Sequence, residues 1–101
     1  MTITEIDSPQ ALKQFVNSSV NVVVKFGAEW CGPCKRIAPD FEKLAQNTPG
    51  VKFATVDVDK VQNAPVSTVP TFLMFVRGYQ VGKVQGANIN AVIQMIKDKH
   101  A

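Results

Sequence analysis

The 101-residue chain sits near the commonest domain length, enough for one hydrophobic core and too short for two, so a single domain over residues 1–101 is expected. Hydrophobic residues make up 46% and charged residues 19%, with six Gly and six Pro, which excludes a disordered, fibrous or disulfide-dense chain. The net charge is +3, the eleven Lys and Arg are scattered from Lys13 to Lys99, and no apolar run nears the roughly 18 residues of a membrane span; neither a nucleic-acid nor a membrane partner is expected.

Met1–Asp7 carries acids and lacks the basic region and apolar core of a secretory signal, so a cytoplasmic location is expected. In a reducing compartment a pair of cysteines is more often catalytic or metal-binding than structural. By the same reasoning Asn17-Ser18-Ser19, although it fits the glycosylation pattern, reads as chance. Ser8-Pro9 reads as an N-cap and first helical residue, with Leu12, Phe15 and Val16 on one face of the helix that follows. Val20–Phe26 is almost continuously β-branched without polar alternation, which predicts a strand covered on both faces in a parallel sheet and aimed at the cysteines.

After Cys34, residues Ile37, Phe41, Leu44 and Ala45 recur at helical spacing until Asn47-Thr48-Pro49-Gly50, with a kink expected at Pro39. Val51–Val58 predicts a further strand. Thr71–Val76, the turn Arg77-Gly78-Tyr79-Gln80 and Val81–Val84 predict an antiparallel hairpin. Ile89, Val92, Ile93 and Ile96 then mark a last amphipathic helix, whose closing Lys97, Lys99 and His100 suit the negative end of its dipole. The sum is a three-layer α/β domain with a mixed central sheet flanked by helices and right-handed crossovers between its parallel strands.

The chemistry concentrates in Trp30-Cys31-Gly32-Pro33-Cys34 at a strand-to-helix junction. A thiolate attacks a disulfide sulfur, forms a mixed disulfide and is freed when a second thiol attacks that bond, so two neighbouring cysteines are the minimum requirement. Cys31 precedes the helix and Cys34 falls in its first turn, where unpaired N–H groups and Lys35 favour thiolate and lower the pKa of Cys31. Cys31, at the exposed turn, is therefore the candidate nucleophile, and Cys34, under the helix, the resolving thiol. Pro33 pre-sets φ in the first turn and Gly32 allows a partner chain to approach. A zinc site would need two more ligands, and the sequence offers only His100; a metal site is not expected. A purely structural disulfide closing so short a loop would restrain little chain entropy.

Phe26, Ala28, Glu29, Trp30 to Lys35, Pro39, Val56-Asp57-Val58-Asp59, Val69-Pro70-Thr71-Phe72, Gly78 and Gly86-Ala87 together make the chain resemble the thioredoxin family over almost its whole length. The resemblance implies the thioredoxin fold and a protein-disulfide reductase with no bound cofactor beyond the redox-active disulfide Cys31–Cys34. It further implies disulfide-containing protein substrates, recycling by a thioredoxin reductase, and a monomeric electron carrier in cell redox homeostasis. Trp30, Gly32 and Pro33 would belong to the docking surface. Pro70 would be a cis-proline beside the disulfide, Val69 would pair through its backbone with an extended substrate segment, and Gly86 and Ala87 would complete an apolar patch. Taken alone, Pro70 also reads as a strand-start proline, and Gly86-Ala87 as a loop before the last helix.

Two departures stand out. Lys25 occupies a place where the family usually carries a buried acid. If it points inward it is a modulator of the resolving thiol, either as a neutral base or as a cation holding Cys34 as thiolate; if its stem lets the ammonium reach water, it contributes little. The neighbouring-strand position that often pairs with it in the family is Thr55 here. The Lys60–Val69 stretch, with Pro65 in its middle, is shorter than usual, so no regular helix is expected there. These departures leave an alternative open, a thioredoxin-fold binding module with weak or altered redox activity.

Overall fold

The computed structural model describes residues 2–101; Met1, the first residue of the Met1–Asp7 stretch and of the expected 1–101 domain, lies outside it. The elements in order are β1 (Ile3–Ile6), α1 (Pro9–Val16), β2 (Asn21–Gly27), α2 (Gly32–Gln46), β3 (Lys52–Asp57), β4 (Thr71–Val76), β5 (Tyr79–Gln85) and α3 (Ile89–Lys99). The strands form one mixed sheet in the order β1-β3-β2-β4-β5, with β1, β3 and β2 parallel and β4 and β5 antiparallel to their neighbours.

Strand alternation divides the core in two. Val22, Val24 and Phe26 face α1, where they pack with Ile6, Val16, Ala54, Val56, Val61 and Leu73. Val23 faces the other way into a cluster with Phe53, Phe72 and Met74 from the sheet, Ile37, Phe41 and Ala45 from α2, and Val92, Met95 and Ile96 from α3. Being covered on both sides is why β2 reads as an unbroken apolar run, and why the single interruption at Lys25 carries information.

The element boundaries differ from expectation in ways with plain causes. Val20 is 46% exposed and precedes β2, whereas Gly27 belongs to it, because pairing with β3 continues as far as Gly27 opposite Asp57. The β4–β5 turn is the two residues Arg77-Gly78, at φ 50° and 84°, not four. Tyr79 and Gln80 pair with Val76 and Phe75, and a two-residue turn with both φ positive has the backbone twist that a hairpin needs. α2 carries Pro39 and runs on to Gln46, where the Thr48 hydroxyl donates to the Leu44 carbonyl at 2.6 Å. Residues 60–70 form turns without a helix.

Candidate functional site

The central strand delivers the cysteines. Beyond Gly27, whose carbonyl accepts from the Val58 N–H at 2.9 Å, Ala28 turns the chain back so that the Cys31 N–H donates to its carbonyl at 3.2 Å. Cys31 is the N-cap of α2: its backbone is extended, and its sulfur accepts the Cys34 N–H at 3.2 Å. Cys31 and Cys34 are joined as a disulfide with Cα atoms 5.3 Å apart, inside the normal range for such a bond. The amide dipole that caps the sulfur is the one that would steady a thiolate there once the bond is reduced.

Cys34 is covered as expected, but the expectation that Cys31 is exposed is corrected: each residue is only 5% exposed. Ala28 forms a small buried cluster with the two cysteines, and Val58 and Val69 pack against it. The asymmetry lies in what flanks them. Cys31 is bordered by exposed Trp30, Gly32 and Pro33, whereas a β-carbon built on Gly27 would stand 3.3 Å from Cys34 Sγ, so the inner sulfur rests against the strand.

Several residues distant in sequence meet at this end of the sheet. The Val69-Pro70 bond is cis, Pro70 is buried, and the Pro70 carbonyl accepts from the Gly86 N–H at 2.9 Å, which brings Gly86-Ala87 alongside. Trp30 is 69% exposed, and its indole N–H donates to Asp59 Oδ2 at 2.7 Å. Asp59 is in turn steadied by its own N–H on Asp57 Oδ1 at 2.9 Å. Spacing alone gave Asp59 no role, since it meets Trp30 only through the parallel register of β2 and β3. His100 lies past α3 beside Asn21, at the opposite end of β2, roughly 20 Å along the strand from the cysteines.

Lys25 points to the α2 face. It is half-buried, its neighbours in register are Thr55 and Phe72, and its Nζ stands 5.4 Å from the centroid of the Phe41 ring. Among the described residues no carboxylate lies within ion-pair distance of it. Burial lowers its pKa from the usual lysine value of 10.5. It lines a cavity of about 340 Å³ together with Gly27, Cys34, Ala38, Thr55 and Asp57, so the ammonium and the inner sulfur open on one space.

Comparison with known proteins gives a consistent picture. A thioredoxin family model matches residues 3–98. Thioredoxin-1 of Saccharomyces cerevisiae is 43% identical over 99 residues, covering 94% of this chain and 90% of that protein. Bos taurus thioredoxin is 41% identical over 92 residues, covering 85% and 88%. Among solved structures, Fasciola hepatica thioredoxin superposes with a TM-score of 0.91 at 36% identity, covering 97% of this chain and 99% of that one.

Proposed function

The chain belongs to the thioredoxin family, and from that premise we propose how its residues carry the reaction. It is a thiol–disulfide oxidoreductase that reduces protein disulfides, with the Cys31–Cys34 pair as its redox centre and no further cofactor. A module that only binds is not favoured, because the pair stands at disulfide distance in a chain so similar to thioredoxins.

In the proposed course, the Cys31 thiolate attacks one sulfur of the substrate disulfide. That S–S bond breaks, its electron pair leaves on the second substrate sulfur, and this sulfur takes a proton. Cys34, as thiolate, then attacks the sulfur of Cys31, expelling the other substrate sulfur and closing Cys31–Cys34. Two electrons have passed to the substrate, and a reductase returns two to the pair. The capped position of the Cys31 sulfur at the α2 N-terminus, accepting the Cys34 N–H, is the observation that carries this assignment of roles.

Trp30, Gly32, Pro33, Val69, Pro70, Gly86 and Ala87 form the rim on which the substrate chain lies, with the Val69 backbone pairing to it as an added strand. Lys25 acts as a positioning residue: its ammonium faces the cavity it shares with Cys34 and favours thiolate at the moment of resolution. We further place the protein, as one domain and a monomer, among cytoplasmic electron carriers that keep cellular thiols reduced, since a redox-active pair of this kind works in this direction in a reducing compartment. No helix among the described residues is long and apolar enough to cross a membrane.

The test is turnover of a disulfide-bonded protein with thioredoxin reductase and a nicotinamide reductant. The parent turns over; Cys31→Ser abolishes turnover; Cys34→Ser accumulates a mixed disulfide on Cys31, seen as a mass adduct that dithiothreitol removes. An adduct on Cys34 in Cys31→Ser at the parent's rate of formation would reverse the roles.

A further inference from the structure

The first turn of α2 breaks a general electrostatic preference. Helix N-termini favour acids and disfavour cations, yet this turn contains no acid; Lys35 lies within it and Arg36 immediately after it, both exposed. Neither finds a counter-charge: among the described residues no carboxylate lies within 4.0 Å of either. Arg36 has Asp40 available one turn ahead, at the spacing where a helical ion pair forms, and does not take it. Its guanidinium instead folds back toward the N-terminus, so that a β-carbon built on Gly32 would stand 3.4 Å from Nη1. The charge thus lies beside Gly32, between the two cysteines, on the rim of the disulfide.

The acids near the rim are otherwise engaged. Asp59 holds the Trp30 indole, and Glu29 lies 3.7 Å from the Lys60 ammonium. Asp57 and Lys25 open on the cavity behind Cys34, whereas on the α2 side of the rim the only charges are the positive ones of Lys35 and Arg36. An arrangement that opposes the local dipole and refuses an available partner is the kind of inconsistency that functional surfaces retain.

We propose that Arg36, supported by Lys35, is a specificity-determining residue that selects substrates with an acidic side chain flanking the attacked cysteine, on the part of the segment that crosses the α2 N-terminus. The proposal rests on the reductase reading above and adds the chemistry of the preferred substrate. The guanidinium offers a planar pair of donors to a carboxylate, which an ammonium does not. Because it is solvated, it acts mainly on encounter and register and is sensitive to salt.

The test uses two disulfide-linked fluorogenic peptides, identical except that the residues flanking the cysteine are Glu in one and Lys in the other, with dithiothreitol as the recycling reductant. The parent is expected to prefer the acidic peptide in kcat/KM by about 3- to 10-fold at low salt, the size that one or two exposed charge contacts supply. The preference is expected to fall toward 1 at about 0.5 M salt. Arg36→Glu cancels or inverts the ratio, and Arg36→Lys keeps part of it. The ratio is the readout, because a change in Cys31 reactivity or in fold alters both peptides alike. Equal preference in the parent, or a ratio unmoved by Arg36→Glu, overturns the proposal; reduction of neither peptide overturns the reductase reading instead.

Discussion

Replacing Lys25 with Met keeps the stem and removes the charge, and its effect can be worked from the structure. Gly27 abuts Cys34 Sγ, Lys25 is two residues back on the same strand face, and its Nζ reaches over Phe41, two helical turns beyond Cys34. That geometry puts the ammonium roughly 6–10 Å from the inner sulfur. At an effective dielectric of about 20, a unit charge at that range contributes roughly 2 kcal/mol, and halving this for the open cavity leaves about 1 kcal/mol. The Cys34 thiolate fraction then falls about 5-fold in the variant. Loading Cys31 with an aromatic thiol as a mixed disulfide and following its release by stopped flow, pH by pH, isolates resolution from attack. The expected result is release about 2- to 5-fold slower near neutrality, with the rate-against-pH midpoint shifted upward, and parent-like behaviour in Lys25→Arg. A midpoint unchanged in Lys25→Met would refute the role given to the ammonium.

The same variant makes a stability prediction with a definite sign: because burial lowers the Lys25 pKa in the fold, the unfolded chain binds the extra proton, and the parent gains stability as pH rises toward 10.5. Lys25→Met lacks this slope, so its advantage, up to about 1 kcal/mol at pH 7 after loss of the Phe41 contact, shrinks in urea titrations at higher pH. Gly82→Ala would bring a β-carbon within 2.8 Å of Met95 Sδ and 2.9 Å of Cγ; a loss of about 1–3 kcal/mol is expected by thermal melting. In Asn21→Ala, the acceptor that holds the Ala101 N–H at 2.8 Å is lost, and denaturant unfolding should report about 1–2 kcal/mol of destabilisation. Asp59→Ala frees the Trp30 indole, leaving stability within about 0.5 kcal/mol while raising KM for a protein disulfide.

What the sequence made legible was whatever depends on local pattern. The β-branched run of β2, the helical spacing after Cys34 and the Ser8-Pro9 start follow from propensity and capping, and they carry the cysteines to the right junction. Less was visible wherever register or packing decides. A strand covered on both faces has no polar alternation, so nothing in Val22–Phe26 says which layer receives Lys25; only the α2 contact with Phe41 does. Trp30 and Asp59 meet across 29 residues of chain because β2 and β3 pair in parallel, with Gly27 opposite Asp57. Val69, which packs against the cluster holding the cysteines, is delivered by a segment with no regular structure of its own. The hairpin turn is shorter than its sequence suggests because Tyr79 and Gln80 pair across the strands, leaving the reversal to Arg77 and Gly78.

The place of β2 in the sheet bears on how the site survives. With β3 on one side and β4 on the other, its amides and carbonyls are paired along both edges, and its apolar side chains belong to both cores. Such a strand opens only when the whole domain opens, whereas turns such as 60–70 open locally at far smaller free energy. The 60–70 turns beside the proposed substrate rim can therefore breathe while β2, which mounts the disulfide, does not. Heat or denaturant would dismantle the geometry around the cysteines together with the fold.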